Sequence, residues 1–61
     1  MSLLARIHHH LRRTGIAPSS FGRKVVNDPR FVHDLRNGRE PGSAVTARVT
    51  AWLDAQERAA R

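Results

Sequence analysis

Two short helices joined by a tight turn are predicted by residues 18–37, PSSFGRKVVNDPRFVHDLRN. Phe21 and Val25 lie four residues apart, so that they share one apolar face of the first helix. Gly22 lies beside them and is small enough for a second helix to approach closely. The spacing therefore predicts a helix with one buried face and a close neighbour.

The second helix of this pair is predicted to begin at Asp28 and Pro29. Aspartate is a favoured N-cap, and proline suits the first helical position because its missing N–H needs no partner there. Val32 and Leu35 point to the inside, and Gly38 ends the helix where a left-handed residue is usual. The opposite face is polar, with the spacing i, i+3, i+4 and i+7: Arg30, His33, Asp34 and Asn37. A helix, a turn and a second helix with a hydrogen-bonding face are the arrangement that reads the DNA major groove.

The length and the composition indicate one small helical domain. A chain of 61 residues without cysteine has room for a single core and no disulfide or thiolate metal site to support it. We expect an all-α domain with four helices near residues 3–14, 18–25, 29–37 and 44–56. Apolar spacing predicts a core drawn from all four: Leu4, Ile7, Leu11, Phe21, Val25, Val32, Leu35, Val49 and Trp52.

The segments outside the helix pair follow the same logic. The first helix carries an apolar stripe that includes Ile7 and Leu11, with His9 and His10 on or near its polar side. Gly15 is predicted to end it, and Ser43 to start the last helix. Beyond about residue 55 the sequence is rich in alanine and arginine, and we expect that end to fray.

Positive charge is concentrated on the helix pair and the segment before it. The formal net charge is +6, and residues 1–48 hold nine basic and three acidic side chains, whereas residues 49–61 hold two of each. A basic face attracts a polyanion, whose phosphates contribute affinity largely through counterion release. The alternative, that the charge serves only solubility, does not explain why it is clustered.

These features resemble the helix-turn-helix domains of the lambda-repressor/Cro-like (XRE-type) family of bacterial and phage transcription regulators. The small residue in the first helix of the pair is Gly22, with apolar residues at Phe21 and Val25. The exit loop, residues 37–41 (NGREP), is similar to the family's Gly-basic-x-Pro pattern. Agreement covers about residues 16–53, and the family usually has glycine in the turn and an apolar residue after it, where this chain has Val26 and Asn27. The resemblance implies a single lambda-repressor-like domain over residues 1–61, with its motif at about residues 18–37 and no cofactor.

The resemblance also implies two groups of contacts with double-stranded DNA. Side chains at the start and outer face of the recognition helix reach the bases: Arg30, His33, Asn37 and, by setting the approach, Pro29. Hydroxyl, N–H and basic groups around them hold the DNA backbone: Ser19, Ser20, Arg23, Lys24, Arg36, Arg39 and Arg48. Because one such helix contacts few base pairs, related domains commonly bind as two-fold dimers. We expect a homodimer through residues 44–58, where Val45, Val49, Trp52 and Leu53 provide apolar surface.

Several conspicuous residues also have a simpler interpretation. His33 either contacts a base or a phosphate or is solvated, whereas Asp34 is expected to pair with Arg30 or Arg36 rather than with a cytosine amino group. Phe31 is expected in the core rather than on a thymine methyl group. Trp52 is expected to anchor the last helix rather than to stack on bases.

The histidine run, residues 8–10, does not predict a metal site, because consecutive helical positions point about 100° apart. The serines lack a histidine and a carboxylate at a suggestive spacing, and no glycine-rich phosphate loop is present. We therefore expect neither enzymatic activity nor a metal. With no apolar run of about 20 residues and no signal-peptide pattern, we expect a cytoplasmic, nucleoid-associated protein. The alternatives to a DNA-binding regulator are a protein-binding module, such as an antitoxin or accessory subunit, and a basic amphipathic peptide acting on membranes or RNA.

Overall fold

The computed structural model describes residues 2–59, and these form four α-helices. In chain order they are α1 (Leu3–Thr14), α2 (Pro18–Val26), α3 (Phe31–Arg36) and α4 (Ser43–Ala59). No strand occurs among residues 2–59, so the predicted all-α class with four helices is confirmed. The helices pack around one core, and α2 contacts both α3 and α4.

Local capping signals account for the ends of α1. The Ser2 hydroxyl accepts a hydrogen bond from the Ala5 N–H at 3.1 Å, which satisfies one of the free donors of the first turn. Gly15 adopts the left-handed conformation (φ 76°), and its N–H donates to the Leu11 carbonyl at 2.8 Å. Both ends lie where the sequence predicts them.

The start of α3 differs from the prediction. The Asp28 carboxylate accepts from the Arg30 N–H at 3.0 Å, and the Asp28 carbonyl accepts from the Phe31 N–H at 3.2 Å. These two bonds close a turn that includes Pro29 and Arg30, so that the helix begins at Phe31. Asparagine and aspartate side chains often bond to the backbone two residues ahead, and here that preference prevails over N-capping at Asp28. At the other end, Asn37 caps α3 instead of belonging to it.

Gly22 is where α2 approaches the segment leading into α3. A Cβ atom on Gly22 would collide with the Asp28 carbonyl oxygen and would lie 3.2 Å from the Cβ atom of Phe31. The intervening turn passes through Asn27, whose φ of 56° is left-handed, a conformation that asparagine adopts more readily than most residues other than glycine. The predicted close approach at Gly22 is therefore confirmed.

The core agrees with the predicted one at six of nine positions. The buried apolar side chains come from all four helices: Ile7, Leu11, Phe21, Val25, Phe31, Val32, Val49 and Leu53. Three predicted core residues, Leu4, Leu35 and Trp52, are instead half-buried and pack against the edge of the core. Phe31 lies in the core, as expected from its size, and Leu53 takes the central position on α4 that the prediction gave to Trp52.

Two ion pairs hold α4 against α1. The Arg6 guanidinium contacts the Asp54 carboxylate at 2.8 Å and the Glu57 carboxylate at 3.0 Å. Hydrogen bonds to Asp54 and then to Glu57 raise the pKa of Arg6 above its ordinary value. The predicted fraying beyond residue 55 is wrong for residues 56–59, because α4 continues to Ala59 beside these contacts, and residues 60 and 61 lie outside the described part of the chain.

His10 is buried, which corrects the prediction that it lies on the polar side of α1. Only 6% of it is exposed, and its ring centroid lies 5.8 Å from that of Phe21 and 5.1 Å from that of Trp52. Its Nδ1 lies 3.4 Å from the Arg13 guanidinium. Burial, followed by the positive charges of Arg13 and Lys24, lowers the pKa of His10 below its ordinary value of 6.5.

This shift predicts that acid destabilises the protein through His10. Above the ordinary pKa both the folded and the unfolded state carry a neutral imidazole, and the full stability is present. As the pH falls below that value the unfolded state binds the proton first, so that the free energy of unfolding decreases by at most about 1.4 kcal/mol per pH unit. Urea unfolding at about pH 7.5 and about pH 5.5 measures the loss, which His10→Leu should abolish.

His9→Gln is the control for this prediction, because His9 is the neighbouring histidine and is exposed. It should leave the pH dependence of the parent protein unchanged. Equal losses in the parent and in His10→Leu would show that other groups cause the acid sensitivity.

Candidate nucleic-acid interface

The four predicted base-contacting residues lie in and around α3, and all are exposed. Pro29 and Arg30 occupy the turn before the helix, and His33 and Asn37 lie one helical turn apart on its outer side. The Asn37 Nδ2 and the His33 Nε2 are 3.0 Å apart, which holds both side chains on this outer face. Arg30 makes no ion pair with a carboxylate among residues 2–59. We call these four residues the reading face.

Arg39 lies just beyond α3 and is tied to it through Asp34. Its guanidinium contacts the Asp34 carboxylate at 3.0 Å, and its backbone N–H donates to the Asp34 carbonyl at 3.0 Å. The predicted pairing of Asp34 with Arg30 or Arg36 is therefore wrong. Asp34 pairs instead with Arg39, which follows it by five residues and lies in the loop after Gly38. The side chain of Arg39 remains 70% exposed, so it is available to a second anion.

Arg36 is turned toward α1. Its Nε donates a hydrogen bond to the Nε2 of His8 at 3.0 Å. Arg12 lines the same surface groove, with Pro18 at the start of α2. The sequence prediction assigned Arg36 to the DNA backbone but overlooked His8 and Arg12, because their proximity to Arg36 depends on how α1 packs against α3.

The residues of α2 that are predicted to contact the DNA backbone lie in two parts of the helix. Ser19 and Ser20 are exposed in the first turn, after an N-cap residue, Ala17, that provides no side-chain hydrogen bond. Arg23 is exposed one turn later. Lys24 lies with its ammonium 5.9 Å from the Trp52 ring centroid, within cation–π distance. Lys24 thus lies beside α4, with its charge near the face of the Trp52 ring.

The outer face of α4 is less apolar than the sequence suggests. Val49 and Leu53 are essentially fully buried, and Val45 and Trp52 are half-buried against the core. The prediction that Val49 and Leu53 provide apolar surface for a dimer is therefore wrong, whereas Val45 and Trp52 keep part of their surface exposed. Between residues 44 and 53 the exposed side chains are three alanines and Arg48, a predicted contact with the DNA backbone: Ala44, Ala47, Arg48 and Ala51. Beyond them the exposed residues include Ala55 and the charged side chains of Asp54, Glu57 and Arg58.

The three consecutive histidines lie in three different environments. His8 contacts Arg36, His9 is exposed and His10 is buried between aromatic rings. Within the described part of the chain, no three histidine or carboxylate side chains are grouped so as to hold a metal ion. The geometry agrees with the 100° separation of consecutive helical positions.

No family model, curated protein or solved structure matches this chain. Among residues 2–59, none of the helices combines the length and the apolar character that crossing a membrane requires.

Proposed function

We propose that this protein is a sequence-specific DNA-binding transcriptional regulator of the bacterial or phage type, acting in the cytoplasm on the nucleoid. The observation that supports it best is the α2–α3 pair, in which the contact at Gly22 fixes two short helices while the reading face stays exposed. α3 is the helix that would enter the major groove, with α2 across the DNA backbone.

The distribution of charge around the pair supports the same proposal. The chain has five carboxylates, and three of them (Asp34, Asp54 and Glu57) already contact an arginine. Five other arginines in the first two thirds of the chain make no carboxylate contact within residues 2–59: Arg12, Arg13, Arg23, Arg30 and Arg36. Their charge is therefore available to the phosphates of a nucleic acid.

Replacing Arg30 or Arg39 with alanine should change DNA binding in two different ways. Arg30 lies on the reading face, where a guanidinium can donate two hydrogen bonds to guanine, so Arg30→Ala should lose about 1–3 kcal/mol on the preferred site and little on random DNA. Arg39 lies in the loop, and Arg39→Ala should weaken both duplexes alike and lower the salt slope by about one. Titrations at several salt concentrations, on a site selected from a random pool, measure both effects.

The matched control is Arg58→Ala, which removes the same charge from the end of α4, far along the chain from the helix pair. Arg58→Ala should change the sequence specificity less than Arg30→Ala does, and the salt dependence of binding less than Arg39→Ala does. Equal weakening of specific and random DNA by Arg30→Ala would make Arg30 a backbone contact. Failure of any sequence to be enriched from the pool would favour the alternative, a module that binds protein.

The second part of the proposal is a homodimer on DNA through residues 44–58. Alanines on the outer face of α4 lie at i, i+3, i+7 and i+11, and small side chains allow two helices to approach closely: Ala44, Ala47, Ala51 and Ala55. Sedimentation with a selected duplex should show two proteins per site, and Ala51→Glu should reduce this to one. One parent protein per site would contradict the dimer.

A further inference from the structure

A groove whose polar lining residues are all basic lies between α1, the start of α2 and the end of α3. Its lining consists of His8, Leu11, Arg12, Pro18 and Arg36, and we call it the α1–α3 groove. None of these residues is acidic, and neither arginine contacts a carboxylate within residues 2–59. Three groups that can carry positive charge thus line the groove from two helices, with no carboxylate of residues 2–59 in the lining to balance them.

The hydrogen bond inside the groove joins Arg36 to His8. The Arg36 Nε–H is the donor and the His8 Nε2 is the acceptor, at 3.0 Å, so that Nε2 carries no proton in this arrangement. If Nε2 is protonated it can no longer accept from a guanidinium, and both groups become donors. Two donors side by side, with Arg12 beside them, match the oxygens of a phosphate group.

We propose that His8, Arg12 and Arg36 bind a phosphate of the DNA backbone, and that His8 Nε2 takes up a proton as the phosphate binds. The phosphate accepts from Arg36 in place of His8, which frees Nε2 for the proton and makes it a second donor to the same anion. The inference rests on the proposed function, because it takes double-stranded DNA as the ligand.

The groups around His8 make this uptake specific to the groove. On its own helix the charged neighbour in the groove is Arg12, and on α3 it is Arg36, whereas α2 contributes only Pro18 to the lining. No residue of α4 lines the groove. The bound phosphate therefore supplies the negative charge next to three cationic groups, and binding becomes coupled to pH through one identified atom.

Binding to a random-sequence duplex tests the phosphate site without involving base recognition. Arg12→Gln and Arg36→Gln should each weaken binding by about five- to tenfold and lower the salt slope by about one. The matched control is Arg13→Gln, which removes the same charge one residue along α1, where the side chain contacts His10 instead. It should produce a smaller loss.

The pH dependence tests the coupling. Uptake of one proton increases the affinity by at most about tenfold per pH unit as the pH is lowered. His8→Gln cannot be protonated and should flatten this dependence, whereas His9→Gln should leave it as in the parent. Circular dichroism at each pH verifies that every variant is folded. In the parent, nuclear magnetic resonance of the His8 ring nitrogens should change from the neutral to the protonated form when the duplex is added.

The possible outcomes separate this inference from the proposed function. If the parent protein binds no duplex even at low salt, both fail. If the parent binds but Arg12→Gln and Arg36→Gln bind as tightly as Arg13→Gln, DNA binding stands and the phosphate site is wrong. Equal pH dependence in the parent and in His8→Gln, with no change in the His8 ring signals, would overturn the coupled proton uptake.

Discussion

Gly22→Ala is expected to remove most of the protein's free energy of unfolding. The added methyl group would collide with the Asp28 carbonyl oxygen, and backbone atoms cannot move aside as a flexible side chain can. Separating α2 from the segment leading into α3 should cost about 3 kcal/mol or more. A domain this small has a total stability of only about 3–5 kcal/mol, so the melting temperature measured by circular dichroism should fall sharply.

Gly42→Ala provides the control, because a Cβ atom there meets nothing within 4 Å. Gly42 precedes α4, and its carbonyl accepts from the Thr46 N–H at 2.9 Å, so that it occupies the cap position. Glycine is somewhat better than alanine at such a cap, and Gly42→Ala should cost about 1 kcal/mol or less. If both variants melt within a few degrees of each other, the packing of α2 on the turn is not as close as the structure indicates.

Phe21→Ala is expected to have an effect of similar size for the opposite reason, because it leaves a void. Phe21 is fully buried, and its ring centroid lies 5.8 Å from that of His10 and 5.5 Å from that of Trp52. Removing a buried phenyl ring typically costs about 3–5 kcal/mol, from lost apolar burial and from the cavity. Loss of the ring would also expose the His10 imidazole to water, so that the acid sensitivity of the remaining folded protein should decrease.

Phe21→Leu separates the void from the aromatic contacts. It keeps much of the apolar volume and should cost distinctly less than Phe21→Ala, at about 1–2 kcal/mol. Urea unfolding followed by Trp52 fluorescence is the measurement, since the indole packs directly against Phe21. A Phe21→Ala variant as stable as Phe21→Leu would mean that the ring does not fill the centre of the core.

The proposed interface depends on both local and tertiary features. The exposed positions of Arg30, His33 and Asn37 follow from the spacing of α3, whose buried residues Phe31 and Val32 direct the opposite face to solvent. The pairing of Arg39 with Asp34 could not be predicted this way, because it depends on the path of the loop after Gly38. The cationic character of this surface is visible in composition alone, whereas the identity of the cations that remain unpaired is not.

The sequence alone determined the number of helices, the ends of α1 and the place where two helices meet. Those features rest on signals that act within a few residues, such as the Ser2 cap, the left-handed Gly15 and the missing Cβ of Gly22. The tertiary structure decided which of several compatible positions became buried or paired. The spacing of His10 along α1 is compatible both with a polar face and with an aromatic cluster. Only the positions of Phe21 and Trp52 made it part of the core.

The side-chain pairs that join α4 to α1 and that line the α1–α3 groove were also decided by the tertiary structure. Arg6 meets Asp54 across 48 residues, and Arg36 meets His8 across 28. A charge or an imidazole has many partners of suitable chemistry in a chain with 11 basic residues, and its type does not indicate which of them lies within 3 Å. That choice is made by the packing of the apolar faces, because their burial provides most of the free energy of folding and the polar side chains pair with whatever it brings near.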